Sequence, residues 1–365
     1  MRRILVATLL LLFPMSFPPA AAQSTPETSV NPPSASAAAH ASFAEDYLIL
    51  IPKLKKEEIS LLLNDAAKKG YRFAGAALGG RMFTVMSRPK GWSGGARYEY
   101  SIITANRGST LDKELTAAYQ DGWRLRELIG INFTRPPFLH LAVLEKEIGK
   151  PAGAEEVRLV HAQMPSTLEK GLQQAASEGF RFAGISDNLW GLSAVMTRPA
   201  GVKPEARFSY RLTRHPEEVA AEGYRPVKTF HAVIAGEAIL ERDAQMAPEK
   251  VSLKLIAPWR ISTLVRQLQE AESGGYRWVA MDSLRSTLWV KYPGSPEGGY
   301  SYFVIKMEPG SPGEDLEAHS FVTSDSEGKW VPVAAKELEG YSFVAVHAAS
   351  TSEYQLVFER PRQPN

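Results

Sequence analysis

Cysteine is absent from all 365 residues. Its absence excludes disulfides, thiolate metal sites and a cysteine-linked lipid anchor. An excess of either charge is also lacking, with 42 Lys and Arg against 40 Asp and Glu. Nucleic-acid binding relies on a phosphate-neutralising surplus of basic residues, so the balance argues against such a partner. Beyond residue 22 no apolar stretch is long enough to form a transmembrane helix. Hydrolase elbows, phosphate loops, dinucleotide fingerprints, His-Glu-x-x-His and EF-hand loops are missing too. The sequence therefore assigns no catalytic residue, no metal ligand and no cofactor.

The one sustained apolar run, Ile4 to Phe13, follows Arg2 and Arg3 and precedes Ala20-Ala21-Ala22. A charged start, a short apolar middle and small residues at the end are expected of a secretory signal over 1–22, cleaved after Ala22. An uncleaved anchor is the alternative. Cleavage would remove two arginines and no acid, leaving 42 − 2 = 40 basic residues against 40 acidic ones. Residues 23–42 are rich in Ser, Pro and Ala and nearly devoid of large apolar side chains. Such a segment cannot bury enough surface to offset its ordering entropy, so a flexible spacer is expected. The expected destination is the periplasm or the medium.

What the chain does have is a recurrence. Gly70-Tyr71-Arg72, Gly122-Trp123-Arg124, Gly179-Phe180-Arg181, Gly223-Tyr224-Arg225, Gly275-Tyr276-Arg277 and Gly340-Tyr341-Ser342 repeat one glycine-aromatic step at a mean spacing of (340 − 70)/5 = 54 residues. A period of this size marks an array of small modules. Eleven residues before each glycine stand Ile59, Leu111, Leu168, Leu212, Leu264 and Lys329. Seven before stand Leu63, Leu115, Leu172, Pro216, Leu268 and Val333, and four before stand Ala66, Ala118, Ala175, Val219, Ala271 and Lys336. Steps of four, three and four hold residues on one helical stripe. The spacing predicts a three-turn helix in modules one, two, three and five, with the aromatic folded over the small residue that precedes the stop. Ser109 with Asp112 and Ser166 with Glu169 resemble capping boxes. In module four, His215-Pro216-Glu217 shortens the helix. Module six loses the arginine, carries lysine on the stripe and has a polar run from Ser320 to Lys329, as a terminal repeat can.

A strand-like run precedes each helix and two follow it, so the unit reads β-α-β-β, with the helix stripe resting on its three strands. A longer period lies above the first. Modules one, three and five end in Val85-Met86-Ser87-Arg88-Pro89, Val195-Met196-Thr197-Arg198-Pro199 and Trp289-Val290-Lys291-Tyr292-Pro293, whereas two, four and six end in Leu144-Glu145-Lys146, Leu240-Glu241-Arg242 and Phe358-Glu359-Arg360. The expected architecture is α+β: six β-α-β-β modules in three tandem paired domains at 43–149, 156–245 and 250–361, with antiparallel sheets and helices packed on one face.

Tyr98-Glu99-Tyr100, Leu115, Gly122-Trp123 and Leu144-Glu145-Lys146 carry a resemblance to the domain-of-unknown-function 4177 family of small bacterial proteins. The likeness covers nearly the whole chain after the spacer. One departure is the arginine that stands where the family often has an acid. The resemblance implies a β-α-β-β fold and no chemistry.

The arginines after the aromatic are the polar residues that recur with the fold. Strand alternation points the aromatic and its second neighbour to one face and the arginine to the other. Two readings follow for Arg72, Arg124, Arg181, Arg225 and Arg277. They form cross-strand ion pairs with the recurrent Glu145, Glu241 and Glu359 or are simply solvated, or they form a basic stripe on the open sheet face that binds an anionic polymer or an acidic envelope partner. His140, His231 and His347 fall at unequal distances from their glycines and read as strand-end or surface residues. The aromatics read as core. Function is expected to be that of an exported, non-enzymatic binding or scaffold protein of the cell envelope. The alternatives are peptidoglycan binding and an enzyme whose site is assembled between repeat domains.

Overall fold

In a computed structural model the chain is described over residues 44–78, 81–131, 140–150, 153–188, 191–201, 205–232, 235–248, 250–256, 261–281, 287–293, 295, 299–307, 322–324, 330–332, 339–348 and 354–362. The expected signal, the spacer and the sixth helical stripe lie outside the described residues. The elements run β1 (Glu45–Leu50), α1 (Lys56–Lys68), β2 (Arg72–Leu78) and β3 (Met82–Pro89), then β4 (Tyr98–Ala105), α2 (Gly108–Gln120), β5 (Arg124–Gly130) and β6 (His140–Glu147). β7 (Glu155–Ala162), α3 (Pro165–Ser177), β8 (Arg181–Asn188) and β9 (Gly191–Pro199) follow, then β10 (Phe208–Thr213), α4 (Pro216–Val219), β11 (Arg225–Ala232) and β12 (Ala235–Asp243). The last stretch holds β13 (Ser252–Ile256), α5 (Ile261–Ser273), β14 (Arg277–Met281), β15 (Thr287–Lys291), β16 (Tyr300–Met307), β17 (Val322–Ser324), β18 (Trp330–Pro332), β19 (Ser342–Ala348) and β20 (Tyr354–Pro361).

These strands form six antiparallel sheets, so the class is α+β. Five are three-stranded, with orders β1-β3-β2, β4-β6-β5, β7-β9-β8, β10-β12-β11 and β13-β15-β14. The sixth runs β18-β17-β16-β20-β19. In the three-stranded sheets the last strand in sequence occupies the middle.

All six repeat glycines adopt positive φ, from 72° to 89°, a region open to glycine without steric cost. The following aromatic amide then reaches back to a carbonyl five residues earlier: Tyr71 to Ala66 at 3.2 Å, Trp123 to Ala118 at 3.0 Å, Phe180 to Ala175 at 3.1 Å and Tyr276 to Ala271 at 2.9 Å. These bonds satisfy helix-end carbonyls that have no intrahelical partner. The Pro216 helix is short as expected, one turn of α-helix continued by a 3-10 turn at Ala220–Glu222.

The helix starts differ from expectation. Arg107 and Met164 are the N-cap residues, and neither makes a side-chain cap bond. Asp112 and Glu169 instead reach the outer strand of the following sheet, where they accept the Leu159 amide at 3.1 Å and the Leu212 amide at 3.0 Å. Asn64 of α1 does the same twice: its Nδ2 donates to the Tyr100 carbonyl and its Oδ1 accepts the Tyr100 amide, both at 2.9 Å. Gln173 of α3 donates to the Tyr210 carbonyl. An outer strand presents unpaired backbone groups that must be bonded or covered. Polar helix residues bond them here, and tertiary demand overrides the local capping pattern.

A helix stripe therefore rests on its own sheet and on the next. Ile59, Leu63 and Ala66 share a core with Phe73 and Met86 of the first sheet and Ile102 and Val143 of the second. Leu111 and Leu115 bring the second sheet against Val195 of the third, and Leu168 and Leu172 bring the third against Ile239 of the fourth. Leu240 meets Leu253 and Val290, and Trp289 meets Val304 and Val357. The series then returns: Phe83 and Val85 of the first sheet pack with Tyr354 and Leu356 of the sixth. The six interfaces thus form a closed circuit, and the segments 43–149, 156–245 and 250–361 all contribute to one compact unit. Among the described residues no helix is long and apolar enough to cross a membrane.

Candidate functional site

The second strand of each unit carries an irregularity at one place. The register of β2, β5, β8, β11, β14 and β19 against the central strand shifts across Ala74, Arg126, Ala183, Val227, Val279 and Val344, each four residues after its glycine. A bulge breaks the ladder and leaves backbone groups without their cross-strand partners. A neighbouring tyrosine answers that need. Tyr210, on the first strand of the fourth sheet, accepts the Phe182 amide of the third at 2.8 Å. The same hydroxyl donates to Glu241 Oε2 at 2.8 Å, and Arg181 grips Glu241 with Nε at 3.0 Å and Nη2 at 2.8 Å. The Phe208 ring lies 5.0 Å from the guanidinium.

The arrangement recurs. Between the first and second sheets Tyr100 accepts the Phe73 amide at 2.8 Å and donates to Glu145 at 2.9 Å, Arg72 Nη2 lies 2.7 Å from Glu145, and the Tyr98 ring is 4.3 Å from the guanidinium. Between the fifth and sixth, Tyr302 accepts the Trp278 amide at 2.9 Å, Arg277 Nη2 lies 2.9 Å from Glu359, and Tyr300 lies 5.1 Å from the guanidinium. These ion pairs join successive sheets rather than strands of one sheet. Hydrogen bonds to Glu145, Glu241 and Glu359 raise Arg72, Arg181 and Arg277 above their ordinary values. Burial, with the adjoining carboxylate charge, pushes the Tyr100, Tyr210 and Tyr302 hydroxyls well above the phenol range, so they stay protonated donors.

No family model matches the chain, and no curated protein or solved structure matches it either. Its chemistry has to be read from its own geometry.

The remaining two sequence-predicted arginines sit elsewhere. Arg124 pairs with Glu155 at 3.0 Å across the second and third sheets and bonds the Gly153 carbonyl, while Tyr119 of α2 accepts the Leu125 amide at 3.2 Å. Burial raises Tyr119 to about 12. Arg225 opens β11 opposite Glu241 in the ladder. Sequence reasoning passed over Tyr100, Tyr210 and Tyr302. The spacing that could have revealed them is an aromatic two residues before each: Tyr98, Phe208 and Tyr300.

Of the repeat's aromatics, Tyr71, Phe180, Tyr224 and Tyr341 are buried core residues, whereas Trp123 and Tyr276 are partly buried against their cores. His140 and His347 do stand near strand ends, but both are buried rather than at the surface. His231 has its side chain outside the described residues. His140 Nδ1 lies 3.0 Å from Ser186 Oγ of the third sheet, and His161 Nδ1 lies 3.0 Å from Ser193 Oγ. Burial, followed by the His161 charge, lowers His140 to about 4. Both serines are fully buried, so neither hydroxyl can meet a substrate without the sheets parting.

Proposed function

We propose that this chain is an exported, non-enzymatic binding or scaffold protein of the cell envelope, made by repeating one β-α-β-β unit six times in three pairs. One observation supports the reading most: the polar residues that recur with the fold are turned onto one another between sheets. Arg72, Arg181 and Arg277 each hold a carboxylate, and each clamp joins an odd unit to the even unit after it. These three clamps support the pairing inferred from the chain's longer period. Kinship with the domain-of-unknown-function 4177 family is part of the same proposal, and it rests on the strand, helix and glycine positions.

A basic stripe offered to an anionic polymer is the weaker reading. The polymer would have to strip carboxylates from guanidinium groups that already hold them in charge-assisted, forked bonds. Export rests on residues 1–22 and their signal-like pattern.

The test is fractionation of cells expressing the full chain, with the mature N-terminus read by mass spectrometry and bound components recovered by crosslinking. A product beginning at Gln23 in the exported fraction is expected. Full-length protein confined to the cytoplasm would remove the envelope assignment. Turnover of a substrate, abolished by substitution of one cleft residue, would remove the non-enzymatic one.

A further inference from the structure

In a repeating fold, what packing requires recurs, and what recurs nowhere else calls for another explanation. The fourth and fifth residues after each repeat glycine form the bulge. Four units place small apolar residues there: Ala74-Gly75, Ala183-Gly184, Val279-Ala280 and Val344-Ala345. The fold evidently builds the bulge without charge. The second unit instead has Arg126-Glu127 and the fourth has Val227-Lys228.

These three charged residues line one hollow. A hollow of about 170 Å³ lies among β5, β8 and β11, lined by Arg126, Glu127 and Lys228 together with Phe182, Ala183 and Gly184. Lys228 Nζ stands 3.4 Å from Glu127 Oε1. That contact runs from the fourth sheet to the second and passes over the third, where Ala183 and Gly184 offer no bulk. A Cβ at Gly184 would come 2.9 Å from Leu125 Cδ2, the tip of a leucine side chain that would have to shift. Arg126 Nη2 donates to the Phe73 carbonyl at 3.3 Å and its Nε lies 3.6 Å from Glu145. Glu145 already carries Arg72 and Tyr100, so Arg126 is a second cation on an occupied carboxylate. The side chains of Arg126, Glu127 and Lys228 keep 35%, 25% and 36% of their exposure, so a solute can reach them. Long contacts on reachable groups leave them free to exchange partners.

We propose that this hollow binds a small zwitterion of the α-amino-acid class, with preference for an acidic one. Its carboxylates lie against Arg126 and Lys228, and its ammonium takes the place of Lys228 on Glu127. Two cations and one carboxylate complement two carboxylates and one ammonium. The hollow has room for about six waters at ~30 Å³ each, the bulk of a free amino acid. Through Arg126 the site adjoins Glu145 of the first clamp, and it gives the binding reading above a location and a ligand class, so it rests on that reading.

Calorimetric titration of the purified full chain with L-glutamate tests it, with glutarate and L-lysine as comparison ligands. Saturable binding of glutamate is expected, with glutarate about tenfold weaker because it lacks the group that Glu127 accepts, and L-lysine weaker again. Glu127→Gln and Lys228→Met should each lower glutamate affinity by about tenfold or more. Ala183→Met, which fills the hollow and keeps every charge, should abolish binding. Each variant's thermal midpoint is recorded, so that a folding defect is told apart from a lost contact. No heat with any ligand up to about 10 mM, or binding that ignores all three substitutions, overturns the proposal. Incubated glutamate is also assayed by NMR. Its conversion would remove the non-enzymatic reading and leave the site standing, whereas absence of binding would remove the site and leave the scaffold standing.

Discussion

The interface between the third and fourth sheets and the one that returns from the sixth to the first solve the same problem with different parts. At the first, the bulge amide of Phe182 bonds Tyr210, which bonds Glu241, which holds Arg181. At the second, the bulge amide of Phe343 bonds Tyr47 at 2.9 Å. The arginine position is Ser342, and the glutamate position, opposite Tyr47 in the ladder, is Ser87. Arginine and glutamate are missing from these positions together, while the tyrosine remains and its hydroxyl meets Glu45 of its own strand instead. Losing one member alone would leave a half-buried charge without its partner, and that is costly. Losing both costs little. The tyrosine stays because the backbone amide it serves belongs to the bulge, and all six bulges are kept. A backbone donor is an obligation, whereas an ion pair is an option.

The comparison can be broken or sharpened by experiment. The largest effect is expected between the second and third sheets, where the tyrosine that takes the bulge amide, Tyr119, comes from a helix rather than from a strand. His140, between the second and third sheets, has its folded value lowered to about 4 against about 6.5 in the unfolded chain. The unfolded state therefore binds more protons between those values, and the stability His140 contributes is complete above pH 6.5 and lost as pH falls to 4. The loss comes to about 3 kcal/mol. His140→Gln should flatten the urea-unfolding free energy across this window relative to the parent. An unchanged slope would mean that acid weakens some other contact.

Next, Tyr210→Phe strands a buried amide and one carboxylate oxygen, at about 2–3 kcal/mol, read as a lower urea midpoint at unchanged slope. Tyr47→Phe removes the amide bond at the closing interface together with the hydroxyl's bond to Glu45, where serines stand at the arginine and glutamate positions, and should cost about 1–2 kcal/mol. Equal losses in the two variants would mean that a carboxylate held by arginine adds nothing beyond the Glu45 carboxylate that Tyr47 meets. The smallest effect belongs to Ser87→Glu combined with Ser342→Arg, which transplants the pair. A gain below about 1 kcal/mol is expected for the double variant, with Ser87→Glu alone destabilising. Independent, additive single effects would show that the two side chains do not meet.

Much of this was legible in the chain. Stripe residues such as Leu63, Leu115 and Leu172 sit in the cores their spacing implies, the glycine stops have the backbone they require, and Pro216 shortens its helix. All of these are local, and local geometry is periodic. The pairing of Arg72, Arg181 and Arg277 with the recurrent glutamates was also readable, because both partners repeat. What escaped was the partner sheet. Nothing in the spacing says that Arg72 reaches across to the next unit, or that Asp112 and Glu169 leave their own helix ends to hold Leu159 and Leu212. Capping boxes were the natural local reading, and a strand edge in need of partners outbid them. The charges of the hollow were visible as exceptions to the repeat, but their meeting depends on Lys228 passing over a whole sheet.

The helix side chains that bond β4, β7 and β10 carry one more consequence. Each outward amide or carbonyl occupied in this way is one fewer position on which another polypeptide can lay itself down. Asn64, with one group for the Tyr100 carbonyl and one for its amide, mimics a single residue of an added strand.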